Sequence, residues 1–158
     1  IGHGYALQTW DHLRRFRQLW PGALVVKGIL HPEDARLVRE EGADAIIVSN
    51  HGGRQFDRAA RSIDCLPAIR ADVGPDFPVM FDGGVRRGSD ILALLCLGVD
   101  YVFAGRPFLY GAAGLGQDGV DRAMEIFNLM RQIGCFDLDS PSLEAVMIDS
   151  FEQTKRHP

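Results

Sequence analysis

The sequence predicts an α/β fold: the C-terminal half (strands 5–8) of a (β/α)8 TIM barrel. Three observations carry this. Short apolar runs alternate with amphipathic segments four times along the 158 residues. The runs start near residues 23, 45, 78 and 101, and such βα alternation implies parallel strands with helices outside. Four such units alone would leave both sheet edges and one sheet face bare, whereas a closed barrel takes about 250 residues. Residues 1–158 are therefore expected to form one partial barrel domain whose N-terminal half lies outside the chain.

The elements follow in order. Ile1–Ala6 is glycine-rich and reads as loop. Thr9 is placed to cap a helix from Trp10 to Trp20, with Trp10, Leu13, Phe16, Arg17 and Trp20 along one face. Pro21-Gly22 stops it. Ala23–Val26 reads as a strand that ends in Lys27-Gly28. Pro32, with Glu33 and Asp34 beside it, opens a helix that runs to Glu41 before Gly42. Ala45–Val48 is a strand of β-branched and apolar residues, read as fully buried. A polar loop covers Asn50–Arg61. Ser62 or Asp64 starts a helix through Val73. Pro78–Phe81 is a strand, and Ser89 or Gly88 caps a helix through Leu97. Tyr101–Ala104 is the last strand. A long helix fits Gly119–Ile133, and Ser142–Phe151 reads as one more amphipathic helix.

The totals narrow the function. A net charge of −4 argues against general nucleic-acid binding, which wants a basic face. The longest apolar run, Ile91–Leu97, is far shorter than the roughly 20 residues needed to span a bilayer. The start of the chain shows no signal-peptide pattern. Cys65, Cys96 and Cys135 are odd in number and widely spaced, and read as reduced thiols rather than a metal site. The expected compartment is cytoplasmic, or peripheral at a membrane surface.

The expected strand ends carry the chemistry. Lys27 ends the first strand, Ser49 and His51 follow the second, Asp82 follows the third, and Gly105-Arg106 follow the fourth. In a parallel barrel these ends share the catalytic rim. His51 offers a base that titrates near neutral pH, and Arg54 a planar fork suited to a carboxylate. Gly52 and Gly53 permit a sharp turn beside a ligand. Asp82-Gly83-Gly84-Val85-Arg86 and Gly105-Arg106 form two glycine-arginine motifs at adjacent strand ends, which suits a phosphate cradle. Lys27 reads as a fixed cation in the barrel mouth, or as one side of a structural ion pair with a carboxylate on the half of the barrel outside the chain. Asp82 suits a sugar-like hydroxyl. His3, His12, His31 and His157 read as surface or capping residues.

Lys27-Gly28, Ser49-Asn50-His51-Gly52-Gly53-Arg54-Gln55, Asp82–Gly88 and Gly105–Tyr110 together resemble the FMN-dependent α-hydroxy-acid oxidases and dehydrogenases. That family includes glycolate oxidase, lactate oxidase, flavocytochrome b2 and mandelate dehydrogenase. The resemblance runs from about Trp10 to Gly134, and the Ser-Asn-His-Gly-Gly-Arg-Gln segment is its most specific part. It implies an FMN flavoprotein that oxidises an L-2-hydroxy acid of lactate, glycolate or mandelate type to the 2-keto acid. Oxygen, a quinone or a cytochrome would take the electrons. His51 is then the active-site base and a substrate contact, and Arg54 pairs with the substrate carboxylate. Lys27 lies near the flavin N1–C2 carbonyl edge and stabilises the anionic reduced flavin. Ser49 hydrogen-bonds the flavin, and Asp82 holds the ribityl chain. Gly84, Arg86, Gly105 and Arg106 bind the FMN phosphate, with Gly83 and Val85 completing the cradle. The resemblance also implies a homotetramer. The family draws further groups from strands 1–4, including an aspartate that orients the histidine, so this chain alone is expected to be inactive or nearly so. Two other readings stay open at this point: another enzyme on an FMN- or phosphate-binding barrel, such as an isomerase, and an inactive or non-enzymatic half-barrel.

Overall fold

The computed structural model describes residues 8–132. Its strands are β1 (Val25–Ile29), β2 (Ala45–Val48), β3 (Val79–Asp82) and β4 (Tyr101–Phe103). They form one sheet in the order β1-β2-β3-β4, and every neighbouring pair is parallel. Helix α1 (Trp10–Leu19) precedes the sheet; α2 (Pro32–Glu40), α3 (Ser62–Val73) and α4 (Gly88–Cys96) connect successive strands, and α5 (Arg106–Gln132) follows the last.

The register explains which face is covered. Ile46 pairs with Val79, and Val48 with Phe81. These four side chains are buried and pack into one core with Val38 of α2, Leu66, Ile69 and Val73 of α3, and Leu94 of α4. Each such burial stabilises the fold by roughly 1.5–3 kcal/mol. One level along, Lys27, Ile47, Met80 and Tyr101 stand side by side, and Asp82 pairs with Phe103. Strand side chains alternate between faces, so this second set lies on the face away from the helices. It is half-buried or exposed, with Tyr101 at 59%.

The N-terminal ends of the strands are clamped twice in the same way. Asp44 Oδ2 accepts the Leu24 N–H at 2.7 Å and pairs with Arg17 at 2.8 Å. Asp100 Oδ2 accepts the Val79 N–H at 2.8 Å and pairs with Arg70 at 2.8 Å. Each arginine also reaches backbone carbonyls: Arg17 binds those of Gly22 and Gly42, and Arg70 those of Phe77 and Gly98. Asp44 and Asp100 each stand one residue before a strand, so both clamps lie at the rim opposite the strand C-termini.

Most expected elements appear within a residue or two, but three readings need correction. Lys27 does not end β1. The strand continues to Ile29 because Gly28, at φ +100°, absorbs a register shift between Lys27 and Ile29. A glycine read as a stop is a bulge. Neither Ser89 nor Gly88 caps α4; Arg87 does, and Asp90 Oδ2 accepts the N–H groups of Arg86 and Arg87 at 2.8 and 3.0 Å. The last helix starts at Arg106, well before Gly119, and kinks at Leu115-Gly116. Gly111 and Gly119 then meet backbone to backbone, with no room for a Cβ on either. His12 and His31 do cap helices, accepting the N–H groups of Thr9 and Glu33. The expected helix at Ser142–Phe151, the loop at Ile1–Ala6, and Cys135, His3 and His157 lie outside the described residues.

Candidate active site

The C-terminal ends of β2, β3 and β4 bring the predicted groups to one rim. A cleft of about 190 Å³ is lined by His51, Arg54, Asp82, Gly83, Gly84, Val85, Arg86, Gly105 and Arg106, together with Gly52, Phe103, Ala104 and Pro107. Lys27 and Ser49 sit beside it. Lys27 lies on the same sheet face as Asp82 and reaches it from one level below: its Nζ is 2.7 Å from Asp82 Oδ2 and 2.7 Å from Ser49 Oγ. Ser49 Oγ donates in turn to Asp82 Oδ1. Lysine, serine and aspartate thus form a closed triangle at the mouth of the sheet.

His51 follows within two residues of Ser49, in a 3-10 turn over His51–Gly53. Its φ is +55°, and among the described residues it is the one non-glycine with positive φ. That conformation is disfavoured by its Cβ, and such strained residues gather at functional sites. Local bonds hold it. Ser49 Oγ accepts the His51 N–H at 3.0 Å, and Asn50 Oδ1 accepts the Gly52 N–H at 3.0 Å. The Asn50 N–H donates to Ser62 Oγ at 2.9 Å, which ties the turn to the first residue of α3. The imidazole itself is exposed at the cleft.

Charge in the cleft is one-sided. Three guanidinium groups line it, those of Arg54, Arg86 and Arg106, against the single carboxylate of Asp82. Asp82 is already paired with Lys27, and among the described residues no carboxylate pairs with any of the three arginines. Gly84 and Gly105 face open space. A carboxylate and a phosphate are both ligands this set can hold. Two features were not anticipated. The N-terminus of α5 begins at Arg106, beside the cradle; Pro107 in the first helical turn is the sequence signal for it. Asn50 and Ser62 brace the His51 turn, and nothing in the sequence marks them for that role.

A larger cleft of about 620 Å³ lies between α1 and the free edge of β1, lined mainly by apolar groups such as Leu13, Phe16, Val25 and Val38. It holds no comparable set of chemical groups at strand ends, so size does not locate the chemistry here.

A parallel βα sheet with an arginine-lined glycine cradle beside a strand-end histidine is the rim of a βα barrel whose charge suits anions. The particular family is clear: the model of the FMN-dependent dehydrogenases matches residues 3–146, and the chain belongs to that family. The chain is 50% identical over 116 residues to an L-lactate oxidase of Lysinibacillus sphaericus (strain C3-41), covering 73% of this chain and 30% of that protein. It is 46% identical over 139 residues to (S)-mandelate dehydrogenase of Pseudomonas putida, covering 85% and 35% respectively. The chain thus spans about a third of the length of the curated relatives it matches. Among solved structures, that of the monotopic membrane protein (S)-mandelate dehydrogenase superposes with a TM-score of 0.78 at 44% identity, over 87% of this chain and 38% of that one. A mandelate oxidase variant with (S)-mandelic acid gives 0.77 at 38% identity, over 89% and 42%. These likenesses establish the fold as the matching part of a TIM-type barrel. Among the described residues no helix is long and apolar enough to cross a membrane.

Proposed function

We propose that this chain supplies the catalytic rim of an FMN-dependent enzyme that oxidises a 2-hydroxy acid to the 2-keto acid. The observation that carries the proposal is the trio of arginines that have no carboxylate partner among the described residues, set in one cleft with His51. Such a cleft calls for two anions, a substrate carboxylate and a cofactor phosphate.

The roles divide by chemistry. Arg54 binds the substrate carboxylate through its fork. His51 takes a proton from the substrate, at the α-carbon or the hydroxyl. Lys27 keeps a fixed positive charge on the sheet face away from the helices, held by Ser49 and Asp82. Asp82 takes a ribityl hydroxyl. Gly83, Gly84, Val85, Gly105, Arg86 and Arg106 hold the phosphate. The glycines fit this because Gly84 and Gly105 leave open space at the cleft, and a backbone without a side chain can approach an anion closely. FMN, when bound, supplies the two-electron acceptor. Oxygen, a quinone or a cytochrome then reoxidises the enzyme.

The bare sheet face, with Tyr101 and Phe103 exposed beside Lys27 and Asp82, is the surface a second set of four strands would cover. An N-terminal barrel half is the partner that fits it, and the complete protein is a homotetramer, cytoplasmic or peripheral at a membrane.

The test is a visible absorption spectrum of the complete FMN-loaded protein under anaerobic conditions. Bleaching of the flavin bands by lactate, glycolate or mandelate is the expected result. A flavin that stays oxidised with all three overturns the reading and favours another reaction class on the same cradle.

A further inference from the structure

Resting on the reading of Arg86 as a phosphate ligand, we infer that Asp90 is a positioning residue, whose carboxylate fixes the backbone from which Arg86 reaches the phosphate. The cradle after β3 opens on two successive glycines at positive φ, Gly83 at +110° and Gly84 at +81°. Such a turn has wide backbone freedom and sets no direction for the arginine that follows. Two contacts supply the direction. Val85 is 5% exposed and packs into the core. Beyond it, Asp90 Oδ2 accepts the N–H of Arg86 at 2.8 Å and that of Arg87 at 3.0 Å. Arg86 thus leaves the turn between a buried side chain and a carboxylate anchored on α4.

A helix cap accounts for only one of these two bonds. Asp90 is the third residue of α4, and Arg87 is its N-cap. The bond between them is answered by the Asp90 N–H, which donates to the Arg87 carbonyl at 3.1 Å, and the pair closes the helix end. Arg86 lies one residue outside the helix, and the helix needs nothing from its N–H. The shorter of the two bonds nonetheless goes there. Among the described residues no ion pair joins Asp90 to the Arg86 guanidinium. Arg86 lines the cleft, and Asp90 is not part of its wall. The carboxylate therefore acts on the backbone and leaves the charge of Arg86 to the ligand.

The experiment measures FMN and riboflavin binding to the complete protein, stripped of cofactor, by fluorescence titration. Riboflavin lacks the phosphate, so the ratio of the two dissociation constants isolates the phosphate contact. Asp90→Ala is expected to raise the FMN constant by about tenfold, the weight of one charge-assisted hydrogen bond, and to leave the riboflavin constant within about twofold. Asp90→Asn keeps a neutral acceptor and raises the FMN constant by about threefold. In an Arg86→Gln background the effect of Asp90→Ala on FMN shrinks to less than about twofold, because the residue it positions is gone. An unchanged FMN constant in Asp90→Ala overturns the inference, as does an equal loss of FMN and riboflavin affinity. So does an effect that persists in full in the Arg86→Gln background, which would make Asp90 a helix cap and no more. A wild type that binds riboflavin as tightly as FMN overturns the phosphate reading of the cradle instead. Should Asp90→Ala not fold, Asp90→Asn is read by the same criteria at its smaller effect.

Discussion

Arg106 lies against the backbone of Gly52: a Cβ built at position 52 would stand 2.7 Å from Arg106 Nη2. The contact joins the turn after β2 to the first residue of α5, which follows β4. Gly52→Ala must push the guanidinium aside, and at φ +65° it also costs about 1 kcal/mol in backbone strain. The dissociation constant for FMN should rise by about tenfold, the loss of one charge-assisted contact. Fluorescence titration of the apoprotein measures it. An unchanged constant would remove Arg106 from the phosphate site.

His51→Ala should lower the rate of flavin reduction by about a hundredfold to ten-thousandfold, the usual weight of a general base. The yellow cofactor stays bound, because His51 is exposed at the cleft and takes no part in the glycine cradle. Stopped-flow absorbance reads the rate, and the spectrum before mixing reads retention. Normal reduction in this variant would refute the base assignment.

Arg54→Lys retains the charge and loses the fork. Arg54 has no carboxylate partner among the described residues, which leaves its fork open to a substrate anion. KM for a 2-hydroxy acid should rise by about tenfold or more, with FMN affinity unchanged. Steady-state kinetics with the acid and its methyl ester separate the two explanations: an equal rise for the uncharged ester would show that the pocket, not the carboxylate contact, had changed.

Acid should weaken the clamp at the opposite rim. The Leu24 N–H and Arg17 together hold the Asp44 carboxyl below its ordinary value of 3.8. A carboxyl lowered by folding stabilises the native state above its unfolded value, and that contribution disappears as pH falls through the lowered one. The stabilisation is therefore complete above about pH 4 and is lost below it. Thermal midpoints followed from pH 6 down to about pH 2.5 should fall less steeply in Asp44→Asn, which has no carboxyl to protonate. Parallel curves for the two proteins would exclude this source of acid sensitivity.

How much of this the sequence discloses depends on whether the signal is local. β2 is read residue for residue, because Ala45–Val48 is a short apolar run between turn signals. The start of α2 is equally plain from Pro32 and its acidic neighbours. The end of β1 is misread because Lys27-Gly28 interrupts the apolar run, and only pairing with β2 reveals that Gly28 is a bulge. The start of α5 is hidden because Gly111, Gly114 and Gly116 dilute the helical pattern; Gly111 is there for its close approach to Gly119. At the site, the ionisable groups at the strand ends are visible as residue types. Their mutual bonds are not. The triangle of Lys27, Ser49 and Asp82 depends on the register of three strands, and the Gly52–Arg106 contact on the path of two loops.

The paired clamps of Arg17 with Asp44 and Arg70 with Asp100 hold the strand ends farthest from the cleft. Their bonds run to backbone groups and carboxylates at that rim, and none reaches the loops that carry His51, Arg54 or Arg106. The frame and the reactive groups are thus held by separate sets of bonds. Mutations that reshape the pocket for a larger or smaller acid can accumulate in the loops without loosening the frame, which is the condition for one scaffold to diversify into many catalysts.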